Sequence, residues 1–301
     1  MLGVFALMVS CGGSGASGPP PTAAQRLNGE GLRLLERGER PSAEGAFREA
    51  LAEAELVDDL AGQAEAWNNL GAAATARGDA REAWACHATA LRLHHQRGVR
   101  DLGEVRTRTN LGGAMLTLGD VAGAERELST AAGLARSLSN ASAARLAEVG
   151  VASCMLSRGD AIEAGRKARA IADEAKRDGD TGAQAAALSI EGAAFENQGQ
   201  LGPARERLGA ALELDRQREQ PLTVLGDLLA LARIASKAGD TAAASSLHAR
   251  ASRIARRLGQ LDLAEHELSA AIVAAEKNAP TEAGALRLEL EAIRKGRGAT
   301  E

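Results

Sequence analysis

Small apolar side chains recur along the chain at fixed distances from a series of regularly spaced glycines. The spacings between these glycines are 40, 41, 40, 40 and 40 residues, for Gly38, Gly78, Gly119, Gly159, Gly199 and Gly239. Seven residues before each glycine stands another glycine or an alanine: Gly31, Gly71, Gly112, Ala152, Gly192 and Ala232. Five residues after it stands an alanine: Ala43, Ala83, Ala124, Ala164, Ala204 and Ala244. A period of this length, kept over most of the chain, predicts a stacked array of helical hairpins.

Each spaced glycine is predicted to form the turn between helix A and helix B of one hairpin. Glycine reaches positive φ at low cost and can therefore end helix A. An aspartate follows four of the glycines and can cap helix B. Asp79 with Glu82, and Asp160 with Glu163, also have the spacing of a capping box. The small residues on either side of the turn are expected where the two helices approach most closely.

The second unit carries the most complete motif, with Trp67, Leu70-Gly71, Gly78, Ala83 and Ala90 at fixed offsets. In this respect the chain resembles the tetratricopeptide repeat family over residues 23–295. The resemblance implies an all-α, right-handed α-solenoid of about seven helix-turn-helix repeats. The chain departs from the family by its lack of Tyr and by Glu30 and Glu191, where Leu is usual. Its period of about 40 also exceeds the usual 34.

We expect the residues beyond the usual repeat length to extend helix B by about 9 Å, through stretches such as 91–95. A final unit at 261–295 has Asn278 near the expected turn and is interpreted as a degenerate capping repeat. Residues 296–301 are expected to fray.

Composition supports helices and excludes several function classes. The chain of 301 residues is 45% hydrophobic but only 2% aromatic, so its core must use mainly Ala and Leu. The net charge of −4 offers no basic excess for nucleic acid, and we expect no nucleic-acid partner. No apolar stretch reaches the length of a spanning helix.

The N-terminal residues have a different composition from the array. Residues 1–10 are mostly apolar, and a Gly, Ser and Pro tract at 11–22 begins with Cys11. The segment 8–11 resembles a bacterial lipobox, which implies cleavage before Cys11 and lipidation of its thiol. Met8 departs from the usual Leu, and no Lys or Arg precedes the apolar residues. Gly12 would by the family rule favour the periplasmic side of the outer membrane. The alternative is an apolar leader without function on a cytosolic protein.

Residues that could carry chemistry do not form a recognisable catalytic or metal-binding pattern. HExxH, CxxC and GxxxxGK[ST] are absent, and the five histidines have no ligand spacing. We therefore predict a non-enzymatic protein with no cofactor and no metal. Cys86 and Cys154 lie on different repeats and are expected to be buried or partly buried free thiols.

In the tetratricopeptide family, helix A lines a concave groove, and the resemblance nominates groove residues here. They are Asn28, Asn68, Asn69, Arg106, Asn110, Asn197 and Arg233, together with Ser153 and Ser189. Asparagine amides both donate and accept, which suits the backbone of an extended peptide. The alternative is that these are polar residues on a solvated face. The predicted function is a scaffold tethered to the cell envelope that binds a partner protein or peptide. The alternative is a cytosolic regulatory array that senses a peptide or signalling partner.

Overall fold

The computed structural model describes residues 20–276 and 279–298, and these ranges contain α-helices and no strand. Short turns join the helices in a repeated helix-turn-helix arrangement, which confirms the predicted all-α, tetratricopeptide-like fold. The fourteen helices in these ranges are α1 (Ala23–Glu36), α2 (Arg40–Leu56), α3 (Leu60–Arg77), α4 (Ala80–Arg97), α5 (Leu102–Leu118), α6 (Val121–Ser137), α7 (Ala141–Ser157), α8 (Ala161–Arg177), α9 (Thr181–Asn197), α10 (Leu201–Gln217), α11 (Pro221–Lys237), α12 (Thr241–Arg257), α13 (Leu261–Glu276) and α14 (Pro280–Gly298).

The described part of the chain divides into two compact units, 20–158 and 159–298. The repeat pattern predicted a single array and no boundary at this point. In the first unit each helix packs against the next, and α1, α3, α5 and α7 also contact one another in series. In the second unit consecutive helices pack in the same way, and α9 contacts α11. Odd-numbered helices correspond to helix A of each hairpin.

The glycine turns have the predicted conformation. All six spaced glycines have positive φ, from 75° to 91°. A second series of positive-φ residues, which the sequence did not predict, lies at the junctions between hairpins: Asp58, Gly98, Ser139, Gly179, Glu219 and Gly259. A left-handed residue therefore follows every helix from α1 to α12, both within the hairpins and between them.

Aspartate side chains cap helix B in three hairpins, where they accept the backbone N–H three residues later (Asp79, Asp120 and Asp240). The predicted cap at Asp160 is wrong, because no side-chain hydrogen bond caps α8. The capping box at Asp79 is also wrong. Its backbone N–H donates to the carbonyl of Ala74, while Glu82 pairs with Arg77.

Helices A and B have equal lengths from α3 to α12, which contradicts the expectation that helix B alone is extended. Both helices of the second hairpin have 18 residues, and both helices of the next four hairpins have 17. The single spacing of 41 is absorbed in the loop 98–101, which is one residue longer than the loops 57–59 and 138–140.

The small residue on helix A makes room for a large side chain on helix B. A Cβ atom built on Gly112 would lie 2.6 Å from Cγ of Leu128, and one on Gly192 would lie 2.7 Å from Cγ of Leu208. Gly31 faces Phe47 and Gly71 faces His87 in the same way. Close approach of the two helices is therefore the physical reason for these glycines, as predicted.

The two ends of the chain differ in how far the structure describes them. Residues 1–19, which include Cys11 and the predicted lipobox, lie outside the described residues, as do Asn278 and residues 299–301. Thr22 caps α1 through a capping box with Gln25. At the other end α14 continues to Gly298, beyond the predicted end of the array. Among the described helices, none combines the length and the apolar character needed to cross a membrane.

Candidate functional site

A pair of buried asparagines joins α1 to α3. Asn28 and Asn69 are 1% and 3% exposed, and Nδ2 of Asn69 donates to Oδ1 of Asn28 at 3.0 Å. A buried amide must find hydrogen-bond partners, because its transfer from water is otherwise unfavourable. Asn28 is incompletely satisfied: its own Nδ2 is buried and has no partner in the described structure. The pair therefore contains one unpaired donor, which the surrounding helices enclose.

The neighbouring Asn68 links three helices of the first unit. Its Oδ1 lies 3.0 Å from Nδ1 of His87 on α4 and accepts from Nδ2 of Asn110 on α5 at 3.3 Å. Since a carbonyl oxygen can only accept, Nδ1 of the histidine carries the proton. Burial, with the nearby charge of Arg106, lowers the pKa of His87 to about 3. The imidazole is therefore neutral at physiological pH and acts as a fixed donor.

Arg106 lies one helical turn before Asn110 on α5, at the partly exposed margin of these residues. Its side chain is 25% exposed, and Nη2 lies 3.9 Å from a carboxylate oxygen of Glu65 on α3. Its Nε is buried and has no partner among the described residues. Arg106 is therefore a cation with one weak ion pair and an unused donor.

We call this group the asparagine seam: Asn28, Asn68, Asn69 and Asn110, with His87 and Arg106. Its two unpartnered atoms, on Asn28 and Arg106, are both donors, but only the side chain of Arg106 is partly exposed, so a ligand bound there must supply acceptors. The prediction that all four asparagines face an open groove is wrong for Asn28, Asn68 and Asn69, which are buried against neighbouring helices. Spacing along the chain could not show that side chains of neighbouring helices cover these three asparagines. Asn110 and Arg106 are partly open to solvent.

Two further predicted groove residues, Asn197 and Arg233, lie in the second unit and do not join the asparagine seam. Asn197 is exposed at the end of α9. Arg233 on α11 holds Glu196 with two hydrogen bonds of 2.7 and 2.6 Å, and Lys237 adds a third of 2.7 Å. Burial raises the pKa of Glu196, but these hydrogen bonds and charges outweigh it and leave the pKa below its usual value. The guanidinium of Arg233 is thus held by hydrogen bonds to Glu196 within the protein.

The predicted groove residue Ser189 is instead buried in the second unit, where it bonds to an aspartate that the sequence analysis did not single out. Asp227 on α11 is fully buried, and Ser189 on α9 donates to its Oδ1 at 2.7 Å. Burial raises its pKa to about 7; the bond from Ser189 lowers it, and the charge of Asp215 raises it further. Its other oxygen has no partner in the described structure. The sequence held one signal, since the equivalent position in three other hairpins is alanine: Ala66, Ala147 and Ala187.

The other residues that could carry chemistry are cysteines, histidines and acidic residues, and each described one has a structural explanation or no catalytic neighbours. Cys86 and Cys154 are buried free thiols, as predicted, and burial raises the pKa of each to about 11, so both stay protonated and weakly nucleophilic. His248 lies 2.6 Å from a carboxylate oxygen of Glu267. In the two described ranges, no group of three or more His, Cys, Asp or Glu residues is arranged to hold a metal ion.

Comparisons with known proteins found similarity in fold and none in sequence families. No protein-family model matches the sequence, and no curated protein matches it. Among solved structures, NprR in complex with its cognate peptide NprX is 18% identical, with a TM-score of 0.66 over 90% of this chain and 77% of that one. A Rap protein complexed with Competence and Sporulation Factor is 16% identical, with a TM-score of 0.65 over 93% and 76%.

A third solved structure with the same fold belongs to a larger protein. It is a signal-transduction ATPase with a tetratricopeptide repeat sensor from Pyrococcus horikoshii, 14% identical, with a TM-score of 0.58. The match covers 90% of this chain but only 41% of that larger protein. At these identities the similarity establishes a tetratricopeptide-like helical repeat fold and nothing about ligands.

Proposed function

We propose that this protein is a non-enzymatic regulator that binds an extended peptide, or an extended segment of a partner protein, at the asparagine seam. The observation that carries the proposal is Arg106, a partly exposed cation with a single 3.9 Å ion pair and an unpartnered Nε, beside the partly exposed residue Asn110 on the same helix. Both side chains are hydrogen-bond donors at a partly exposed surface, so a ligand that supplies acceptors can bond to them.

An extended peptide fits this requirement because it presents a backbone carbonyl at every residue. Asn110 can exchange its contact with Asn68, already long at 3.3 Å, for a peptide carbonyl. Arg106 can exchange its 3.9 Å contact with Glu65 for a carboxylate of the peptide. The solved structure of NprR with its cognate peptide NprX supports a peptide ligand for this fold.

The test is selection of peptides from a random library on the purified protein, followed by affinity measurement with the selected peptides. The double variant Arg106→Ala/Asn110→Ala should bind at least about tenfold more weakly, the effect expected for the loss of a charged and a neutral hydrogen bond. Arg126→Ala is the matched control, because this exposed arginine of α6 lies outside the asparagine seam. Equal affinities for the double variant and the wild type would exclude the asparagine seam as the binding site.

The regulatory function was the alternative in the sequence analysis, and the fold similarity to the peptide-bound NprR supports it over the envelope scaffold. A lipid anchor at Cys11 is a separate proposal. It rests on the lipobox-like residues 8–11 and on the Gly, Ser and Pro tract that follows. Such an anchor would change where the protein binds its peptide without changing how it binds.

A further inference from the structure

A cavity of about 400 Å³ opens on the second unit between α8, α9 and α10. Its walls carry Arg169 and Lys176 from α8 and Arg207 from α10, and the buried Glu191 of α9 lies at its base. Ligand cavities in proteins commonly have volumes of roughly 300 to 1,000 Å³, so the space suits a small molecule.

Glu191 fixes the two arginines in place. Its side chain is 3% exposed, and its two oxygens lie 2.9 Å from Nε of Arg169 and 3.4 Å from Nε of Arg207. A buried carboxylate must be paired, but a single cation is enough to neutralise it. The second arginine therefore leaves a positive charge that the protein does not balance at this carboxylate.

The donors that face the cavity are not used within the described structure. Both arginines contact Glu191 through Nε, and no described residue bonds to their Nη atoms. No ion pair joins Lys176 to a described residue, and its side chain is exposed. Asp173 is the second carboxylate of the lining, so three cations face two carboxylates, one of them buried beneath the arginines.

We propose that this cavity binds a small phosphorylated molecule, with its phosphate held between Arg169 and Arg207 and reached by Lys176. Guanidinium groups form paired hydrogen bonds with phosphate oxygens, and anchoring through Nε leaves their Nη atoms available for this contact. The apolar side chains of Ala172 and Leu188 in the same lining can contact the organic part of the ligand.

This site is distinct from the contact that α9 makes with α11. Ser189 bonds to α11, whereas Glu191, two residues later, bonds to α8 and α10. Two residues rotate a helix by about 200°, so the two side chains leave α9 on nearly opposite sides. The asparagine seam belongs to the other unit, and the two ligands would bind different residues.

The probe for this site is inorganic pyrophosphate, titrated into the full chain by calorimetry at about 0.15 M ionic strength, where exposed charges are screened. The wild type should bind pyrophosphate, and Arg169→Gln/Arg207→Gln should weaken the affinity at least about tenfold. The control Arg166→Gln/Arg205→Gln removes the same charge from exposed arginines on the same two helices, whose ion partners are Glu163 and Asp240. This control should bind within about twofold of the wild type.

Lys176→Gln tests the site without disturbing the buried Glu191, and it should lower the affinity several-fold with an unchanged circular dichroism spectrum. Citrate titrated into the wild type tests the choice of phosphate over carboxylate and should bind more weakly than pyrophosphate. The proposal is overturned if the wild type does not bind pyrophosphate, if the control variant loses as much affinity as the cavity variant, or if citrate binds as tightly.

Discussion

The side chain of Leu128 on α6 occupies the space in which a Cβ atom on Gly112 of α5 would lie. The distance from that Cβ position to Cγ of Leu128 is 2.6 Å, too short for any real contact of this kind. Gly150 on α7 bounds the same leucine, since a Cβ atom there would lie 2.6 Å from its Cδ2. The glycine of helix A and the large residue facing it on helix B therefore form a unit, in which each residue requires the other.

Gly112→Ala should lower the free energy of unfolding by about 1 to 2 kcal/mol. The added methyl group overpacks a full interface, and this outweighs the higher helix propensity of alanine. Urea denaturation measures the change. Gly113→Ala is the matched control, because nothing lies within 4 Å of a Cβ atom at that position. It should raise stability by about 0.5 to 1 kcal/mol. Two changes of the same sign would contradict the packing argument.

A second variant tests the pairing itself. Leu128→Ala alone should cost about 2 to 5 kcal/mol, the usual cost of a large cavity. In the double variant Gly112→Ala/Leu128→Ala, the methyl group at position 112 has room. The total cost should therefore be smaller than the sum of the two single costs by at least about 1 kcal/mol. Additive costs would show that the two positions act independently.

Burial of Asp227 predicts a pH dependence of stability. Its folded pKa of about 7 lies above the ordinary value of 3.8, so between these values the folded chain holds a proton that the unfolded chain lacks. Stability should therefore be greatest below about pH 4 for this group, fall as the pH rises, and reach its minimum above pH 7. A shift of this size corresponds to about 4 kcal/mol.

Asp227→Asn should remove this dependence and stabilise the protein at pH 8, because the amide keeps an acceptor for Ser189 and carries no charge. Chemical denaturation at pH 5 and pH 8 measures both effects. Asp240→Asn is the contrasting control: the backbone bond from Ala243 and the bond from Arg205 hold the pKa of Asp240 below its usual value. That contribution is present at neutral pH and is lost only in acid. The assignment would be refuted if the free energy of unfolding of the wild type rose from pH 5 to pH 8 and that of Asp227→Asn changed in the same way.

Glu219 is one of the non-glycine residues at a left-handed junction, with φ of 53°. Glu219→Gly should stabilise the protein by about 1 kcal/mol, because only glycine adopts this conformation without steric cost. Thermal unfolding measures the change. Gln217→Gly, two residues earlier at the end of α10, should destabilise by up to about 1 kcal/mol. If both glycine variants destabilise, the junction is not strained.

Lipidation of Cys11 predicts that the protein expressed in a bacterial host is labelled by a radioactive fatty acid and recovered with membranes. Cys11→Ser should abolish the label and release the protein, since the acyl chains supply the membrane affinity. Cys86→Ser is the control and should keep the label, because that thiol is buried. A wild-type protein without label would refute the lipoprotein prediction.

The positions of the hairpins along the chain were predictable from the sequence, because each spaced glycine and alanine meets a local structural requirement. Gly78 needs a left-handed backbone, and Gly112 needs room for Leu128; both requirements recur in other hairpins at equivalent positions. The second series of turns was not predictable from composition, since Asp58, Ser139 and Glu219 occupy a conformation that glycine fills elsewhere. Local context selects the conformation there, and residue type does not reveal it.

The candidate site was predictable only in part, for a related reason. Asn69 and Asn110 occupy the same position of helix A, nine residues before Gly78 and Gly119, and this equivalence is visible in the sequence. How deeply each side chain is covered depends on contacts between helices that are not adjacent in the chain, such as α1 with α3. The cavity around Glu191 was likewise not predictable from the sequence. The unusual acidic residue was visible in the sequence, but its two arginine partners lie on the preceding and the following helix.

The loop 98–101 absorbs the only irregular step in the glycine spacing. An α-helix turns by about 100° per residue, so one residue inserted within α4 would have pointed every later side chain of that helix in a new direction. The same residue placed in the loop leaves His87 against Gly71 and Leu128 against Gly112. In natural variants of this chain, insertions and deletions of single residues should therefore occur at the junctions between hairpins. Elsewhere in the array, insertions and deletions should consist of whole helical pairs.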